Sequence, residues 1–200
     1  MDIVNQIRQK AIQNGMVNVI IAGSTCSGKT FLANYLKAKL SGEFTVSIIS
    51  QDNYFKDIVD IPRVSLGYLT DSINAFHTHE FKQDIKTLLS CGKTIVPRYD
   101  VSRNKRIAKD VCVTSGQINI FEGLHVITLL SGLKNSLTVF LNTPLDVCLE
   151  RRVERDNSAY GIPAERIRQN FYDCIMPMYC SYVAPQMEKA DIKLKGSGFL

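Results

Sequence analysis

"AGSTCSGKTF", residues 22–31, follows directly on the apolar run "VNVII" at 17–21. A strand that ends in glycines, small hydroxyls and one lysine is built to meet a phosphate. Gly23 and Gly28 bracket Ser24, Thr25, Cys26 and Ser27, and Lys29 and Thr30 follow, which is the pattern G-x-x-x-x-G-K-[ST]. The glycines let successive main-chain N–H groups turn inward as an anion nest. A helix beginning near Lys29 adds its positive N-terminal dipole. Lys29 reaches the outer phosphates, and Thr30 supplies a hydroxyl to Mg²⁺. A random chain of this length would match the pattern roughly once in a hundred, so the flanking strand and helix carry the assignment to a nucleotide site.

The rest of the chain fits one domain over residues 1–200. It has a net charge of +5, 45% hydrophobic residues and 22% charged residues, the balance of an ordinary globular protein. At 200 residues a core needs no covalent staples. The modest positive charge suits anionic small molecules as well as nucleic acid and does not separate them. The six cysteines form no C-x-x-C pair, so no zinc site is expected; they read as reduced thiols acting as small core hydrophobes in a cytoplasmic protein. Residues 1–15 show helical spacing broken by charge, which is neither a signal segment nor a span, and no apolar run reaches about 18 residues. No membrane association is expected.

Strand and helix alternate along the chain. A helix over about 2–14 precedes the strand at 17–22. A helix at about 30–40, a strand at 45–50 and a long irregular polar segment at 51–79 follow, and such segments are usually functional. A helix closes at Gly92. Two extended pieces around "SRNKR" form a flap at about 94–114. Core strands follow at 117–123 and 136–142. The helix after Pro144 is expected to break at "NSAYGIPAE", and further helices lie at about 164–176 and after Pro177. A last strand is expected within 191–196. Short continuous β-branched runs alternating with helices predict a mostly parallel sheet buried on both faces, in α/β layers.

Two carboxylates end core strands. Asp52 follows "SIISQ", and Glu122 closes "NIFE". In open α/β sheets the ligand crevice lies at the carboxyl ends of the strands, so both should face the phosphate loop. Asp52 there could deprotonate a hydroxyl or hold Mg²⁺ through water; its alternative is an Asx turn capping "NYFK". Arg151 and Arg155 stand i, i+4 on one helix face, and guanidinium forks suit a transferring phosphoryl group. The alternative is a solvated face paired with Glu150 and Glu154. His77, His79 and His125 lack metal-ligand spacing and read as surface or cap residues. The basic stretch "SRNKR" has no interleaved aromatics, so nucleic acid is not expected as a partner.

Taken together, "GSTCSGKT", "ISQDNYFK", "PRYD", "FEG", "RRVERD" and "MPMYCSYVAPQMEKADIKL" resemble the uridine kinase and phosphoribulokinase family, from about residue 17 to 195. That resemblance implies a three-layer P-loop NTPase fold with a small β flap and a lid at about 151–165. It implies ATP and Mg²⁺, and transfer of the γ-phosphoryl to the 5′-hydroxyl of a pyrimidine nucleoside in a homo-oligomer. By the same resemblance Asp52 is the catalytic base, and Thr30 and Glu122 lie on the magnesium side. Asp71 holds ribose hydroxyls, and Tyr99 is an aromatic beside the nucleoside. Arg151, Arg152 and Arg155 belong to the lid over the triphosphate.

Departures from the family pattern cluster in the lid and the pocket. Ala159, Tyr160 and Ile162 replace a glutamate and two arginines of the lid motif. Asn104 stands where a flap histidine contacts the base, Cys148 where an arginine lies near the nucleoside, and Asn170 where a glutamine reads the base. Two other readings therefore stay open. One is a kinase of another small alcohol, such as a phosphorylated sugar, pantothenate or nicotinamide riboside, with Arg98, Arg103, Lys105 and Arg106 meeting an acceptor phosphate. The other is a nucleotide-binding regulator with little transferase activity.

Overall fold

The computed structural model describes residues 2–64 and 67–196. The phosphate-loop strand is the middle of the sheet. β1 (Val17–Gly23) pairs on one side with β5 (Ile118–Glu122) and on the other with β6 (Ser136–Leu141). β2 (Val46–Ser50) lies outside β5, and β7 (Ile192–Leu194) outside β6. The order β2-β5-β1-β6-β7 is parallel at every pairing.

Alternation along β1 explains why both faces are covered. Val17, Val19 and Ile21 pack with α1 (Ile3–Asn14) and α2 (Lys29–Leu40) through Ile7, Leu32 and Leu36. Ile20 and Ala22 face the other layer, with Tyr54, Phe81 and Ile85. Successive side chains of a strand point to opposite faces, so an uninterrupted apolar run is what a two-sided sheet requires. α3 (Thr78–Cys91) supplies much of the second layer and stops at Gly92, whose φ of 74° is left-handed. Beyond it β3 (Lys93–Asp100) and β4 (Lys105–Thr114) form the antiparallel hairpin, and the short α4 (Val126–Leu129) comes after β5.

Three expectations on this layout change. α5 (Leu145–Tyr160) runs on through "NSAY" and ends at Gly161, instead of breaking at Asn157. Asn and Ser are only weakly unfavourable inside a helix, and here Asn157 serves the terminus: its side-chain amide donates to the Ile162 carbonyl at 2.9 Å. Pro177 does not divide two helices. α6 (Ala164–Asn170) continues through wide π-type turns at Phe171–Ile175 and Tyr179–Val183, with Met176–Met178 between them. The wider turn makes room for a ring that lacks an N–H. The cysteines are not uniformly core: Cys148 and Cys174 are buried, while Cys91, Cys112 and Cys180 are exposed. Among the described residues no helix is long and apolar enough to cross a membrane.

Candidate active site

The parallel topology sends β1, β2 and β5 to end on the same edge, and a cleft of about 1130 Å³ opens there. It is lined by the phosphate loop from Thr25 to Thr30, by Asp52, Asp71, Tyr99 and Asn104, and by Arg151, Arg152 and Arg155. Most of the residues singled out in the sequence therefore meet in one place, with Gly23, Ser24 and Glu122 buried outside the lining. Asn170 does not line it; it lies on α6, and the π-type turns begin immediately after it. The extent of this cleft suits two substrates side by side, since single-ligand pockets run to about 1,000 Å³.

Close approach dictates the first glycine of the loop. A Cβ on Gly23 would lie 2.8 Å from the Leu141 carbonyl oxygen and 2.8 Å from Ser27 Oγ. Gly28 has φ 101° and caps α2 with no side-chain bond, leaving the helix N-terminus open to an anion. Lys29 is buried and its Nζ donates to the Ser24 carbonyl at 2.8 Å. Beside it, Ser24 Oγ and Ser27 Oγ are buried without any hydrogen-bond partner. Both hydroxyls lie under the loop, with Ser27 Oγ on the side of Gly23 and Leu141 and Ser24 outside the cleft lining, so the main-chain N–H groups of the loop and the Lys29 ammonium are what an incoming phosphate would meet.

The carboxylates sit below the loop. Thr30 Oγ1 donates to Glu122 Oε1 at 3.3 Å, and Glu122 Oε2 is buried without a partner. Enclosure raises the Glu122 pKa, and the Asp52 charge raises it further, against Lys29 and hydrogen bonds from Ser50 and Thr30. Asp52 is also held above the usual carboxylate range, first by the surrounding protein, with Lys29 opposing and Asp71 adding to the effect. Its side chain is open to water in the cleft, which moderates that shift. Two neighbouring acids, one with an orphaned oxygen, fit a hard cation. Among the described residues no cluster of three or more His, Cys, Asp or Glu gathers. The chain thus offers only a partial oxygen set, the usual situation for Mg²⁺ completed by phosphates and water.

Two arginines of α5, Arg151 and Arg152, lie against the loop. Arg152 Nη1 receives no charge partner from Glu150 or Glu154. It donates to Thr25 Oγ1 at 3.1 Å and lies 3.9 Å from Asp71 Oδ1, while its Nε is 3.3 Å from Asp156 Oδ2. Arg155 Nε donates to the other Asp156 oxygen at 2.7 Å. Glu150 instead pairs with Arg168 on α6. An ideal Cβ on Gly28 would be 3.9 Å from Arg151 Nη1, so that guanidinium overhangs the loop. Asp156 was not singled out in the sequence, although it organises two of the three arginines.

The acceptor end has a different character. Asp71 is buried and accepts from Thr70 Oγ1 at 3.2 Å; burial raises its pKa, opposed by Arg152 and Lys29. Phe55, Ile58, Ile61, Tyr99 and Val101 line this end. Phe55 packs on Phe76 with ring centres 4.1 Å apart and on Tyr99 at 5.3 Å. The flap cations do not reach it. Arg98 pairs with Asp110 at 2.5 Å, Arg106 with Glu80 at 2.6 Å, and Arg103 lies 3.6 Å from Asp100. These three and Lys105 are absent from the cleft lining, so the acceptor-phosphate role suggested for them is not supported by their placement. Cys148 is buried on α5, with its Sγ directed to the Thr143 carbonyl at 3.8 Å, and burial pushes the thiol up to about 11. Of the surface or cap roles expected for His125, the cap position holds, since it stands at the N-cap of Val126–Leu129 without a side-chain cap bond, but the surface role does not. It is fully buried behind Asp71, and burial brings its pKa down to about 4.

Residues 19–197 match the family described as Phosphoribulokinase / Uridine kinase family. A uridine kinase of Vibrio cholerae serotype O1 is 31% identical over 194 residues, covering 92% of this chain and 89% of that protein. A uridine kinase of Tolumonas auensis is 30% identical over 187 residues, covering 89% and 86%. Among solved structures, a putative fructose transport system kinase from Silicibacter sp. TM1040 superposes with a TM-score of 0.74 at 19% identity, covering 97% of this chain and 99% of that one. A possible uridine kinase from Bacillus stearothermophilus gives 0.62 at 14% identity, with coverage of 98% and 100%. At such identities the structural likeness shows the fold.

Proposed function

The chain belongs to the phosphoribulokinase / uridine kinase family, and from that premise we propose that it transfers the γ-phosphoryl group of ATP to the 5′-hydroxyl of an uncharged pyrimidine nucleoside, uridine or cytidine. One observation carries the choice of acceptor. The end of the cleft beyond the phosphate loop combines the Asp52 and Asp71 carboxylates with an apolar, aromatic wall, and no flap cation lines it. Two acids repel a phosphorylated acceptor. They suit a molecule with several hydroxyls and a flat ring.

The roles follow from the placement. Main-chain amides of residues 24–30 and the Lys29 ammonium hold the triphosphate. Lys29, Arg151 and Arg155 offset the charge that spreads over the phosphoryl oxygens in transit, and Arg152 bonds the outer side of the loop. Asp52 orients the acceptor hydroxyl and takes its proton. Asp71 accepts hydrogen bonds from the ribose hydroxyls, and Tyr99 with Phe55 flanks the base, with Asn104 at the flap turn. Thr30 and Glu122, with Asp52 through water, would hold a magnesium ion, which when bound supplies charge neutralisation at the phosphates. α5 and the loop after it close over the site and exclude water. Fewer lid cations than the family pattern carries should leave kcat lower, not absent.

The test is at Asp71. Asp71→Asn keeps the shape and removes the charge-assisted acceptor, so the KM for uridine should rise about tenfold or more, with the KM for ATP within about twofold. An unchanged uridine KM in that variant, measured by ADP release, contradicts this acceptor site.

A further inference from the structure

His125 lies between Leu124 and Val126, just past the end of β5, and is 1% exposed. A leucine would fill such a place without the cost of burying a polar ring. The imidazole is instead bonded to the acceptor end of the cleft. Its Nε2 lies 2.9 Å from the main-chain oxygen of Asp71. A carbonyl can only accept, so the neutral ring carries its proton on Nε2. The His125 main-chain N–H donates to Gln51 Oε1 at 2.9 Å, and Gln51 immediately precedes Asp52. Gly123 permits this contact, since a Cβ there would collide with the Gln51 side chain. The ring also stands edge-on to Phe76, with centres 5.8 Å apart, and Phe76 supports Phe55 and through it Tyr99.

We propose that His125 is a positioning residue of the acceptor pocket: it fixes the main chain that presents Asp71 and backs the aromatic wall. This rests on the reading of Asp71 as the carboxylate that holds the acceptor. The leverage is local. Asp71 sits between Thr70 and Ser72 in a turn outside any helix or strand, closed by the bond from the Ser72 N–H to the Leu69 carbonyl at 3.1 Å. The buried hydrogen bond to its carbonyl anchors that turn from beneath, while Thr70 and Arg152 hold the carboxylate itself. Gln51, the residue preceding Asp52, accepts from the main-chain N–H of the same histidine, so the segments carrying the two acceptor-side acids meet at one residue.

The experiment compares His125→Leu, which fills the volume and removes the donor, with His125→Gln, whose amide can donate to the same carbonyl. His125→Leu should raise the KM for uridine about tenfold, the equivalent of one lost hydrogen bond, and leave the KM for ATP within about twofold. Amide exchange in the peptide 69–76 should speed up while that of 22–31 stays unchanged. His125→Gln should recover most of both effects. Kinetics and exchange like the unsubstituted protein in His125→Leu overturn the proposal. So does an equal loss for both variants spread over ATP and uridine, which marks a purely structural core residue. Should His125→Leu fail to fold, His125→Asn, one carbon too short to reach the carbonyl, takes its place. If Asp71→Asn leaves the uridine KM unchanged, the acceptor reading fails by itself; the exchange of peptide 69–76 still decides whether His125 holds that segment.

Discussion

Lys29→Met should lower uridine-dependent ADP release by on the order of a thousandfold while the protein stays folded. Methionine keeps the length and apolar stem of the lysine, so packing at the start of α2 changes little. What disappears is the ammonium beside two orphaned hydroxyls, Ser24 Oγ and Ser27 Oγ. It donates now to the Ser24 carbonyl at 2.8 Å, which shows that it is held at the loop. The charge it offsets develops on the phosphoryl oxygens during transfer, so the loss should fall mainly on kcat. The folded state loses one hydrogen bond to a carbonyl, about 1–3 kcal/mol, a moderate fall in thermal midpoint. Turnover within about tenfold of the unsubstituted protein would contradict a nucleotide site built on this loop.

Asp52→Asn should separate a kinase from a nucleotide-binding regulator. The asparagine keeps the shape of the side chain at the end of β2 but cannot take a proton from a hydroxyl. The expected fall in kcat is about 10²–10⁴-fold, the usual contribution of a positioned base. ATP affinity should be nearly kept, because the carboxylate faces the acceptor side of the loop, beside Asp71. A regulator has no use for a hydroxyl-facing base. Unchanged turnover with uridine in Asp52→Asn would remove the base assignment; unchanged ATP binding with collapsed turnover supports it.

The phosphate loop was legible because its chemistry is local: eight consecutive residues make the nest, and the apolar run before them makes the strand. Asp52 and Glu122 were legible for a related reason. Glu122 closes an apolar run and Asp52 stands two residues past the end of another, and parallel topology carries strand ends to one edge. The remaining features depend on distant partners. The flap cations looked free in "PRYD" and "SRNKR", yet Arg98 is drawn to Asp110 across the hairpin and Arg106 to Glu80 on α3. His125 looked isolated because its partner, the Asp71 carbonyl, lies 54 residues earlier in the chain. Asn157 and Ser158 suggested the end of a helix, but one cap bond to Ile162 and the left-handed Gly161 moved that end to Tyr160. Asp156 was visible within "RRVERD", and only the folded helix shows that its two oxygens divide Arg152 and Arg155 between them.

The most direct test of the whole account is ADP release from ATP and Mg²⁺ by the purified protein, measured with and without uridine. The account predicts release that depends on uridine, saturates with it, and yields a phosphorylated nucleoside in equal amount. ATP binding with no uridine- or cytidine-dependent release would contradict the proposed acceptor, and would leave only the fold and the phosphate loop standing.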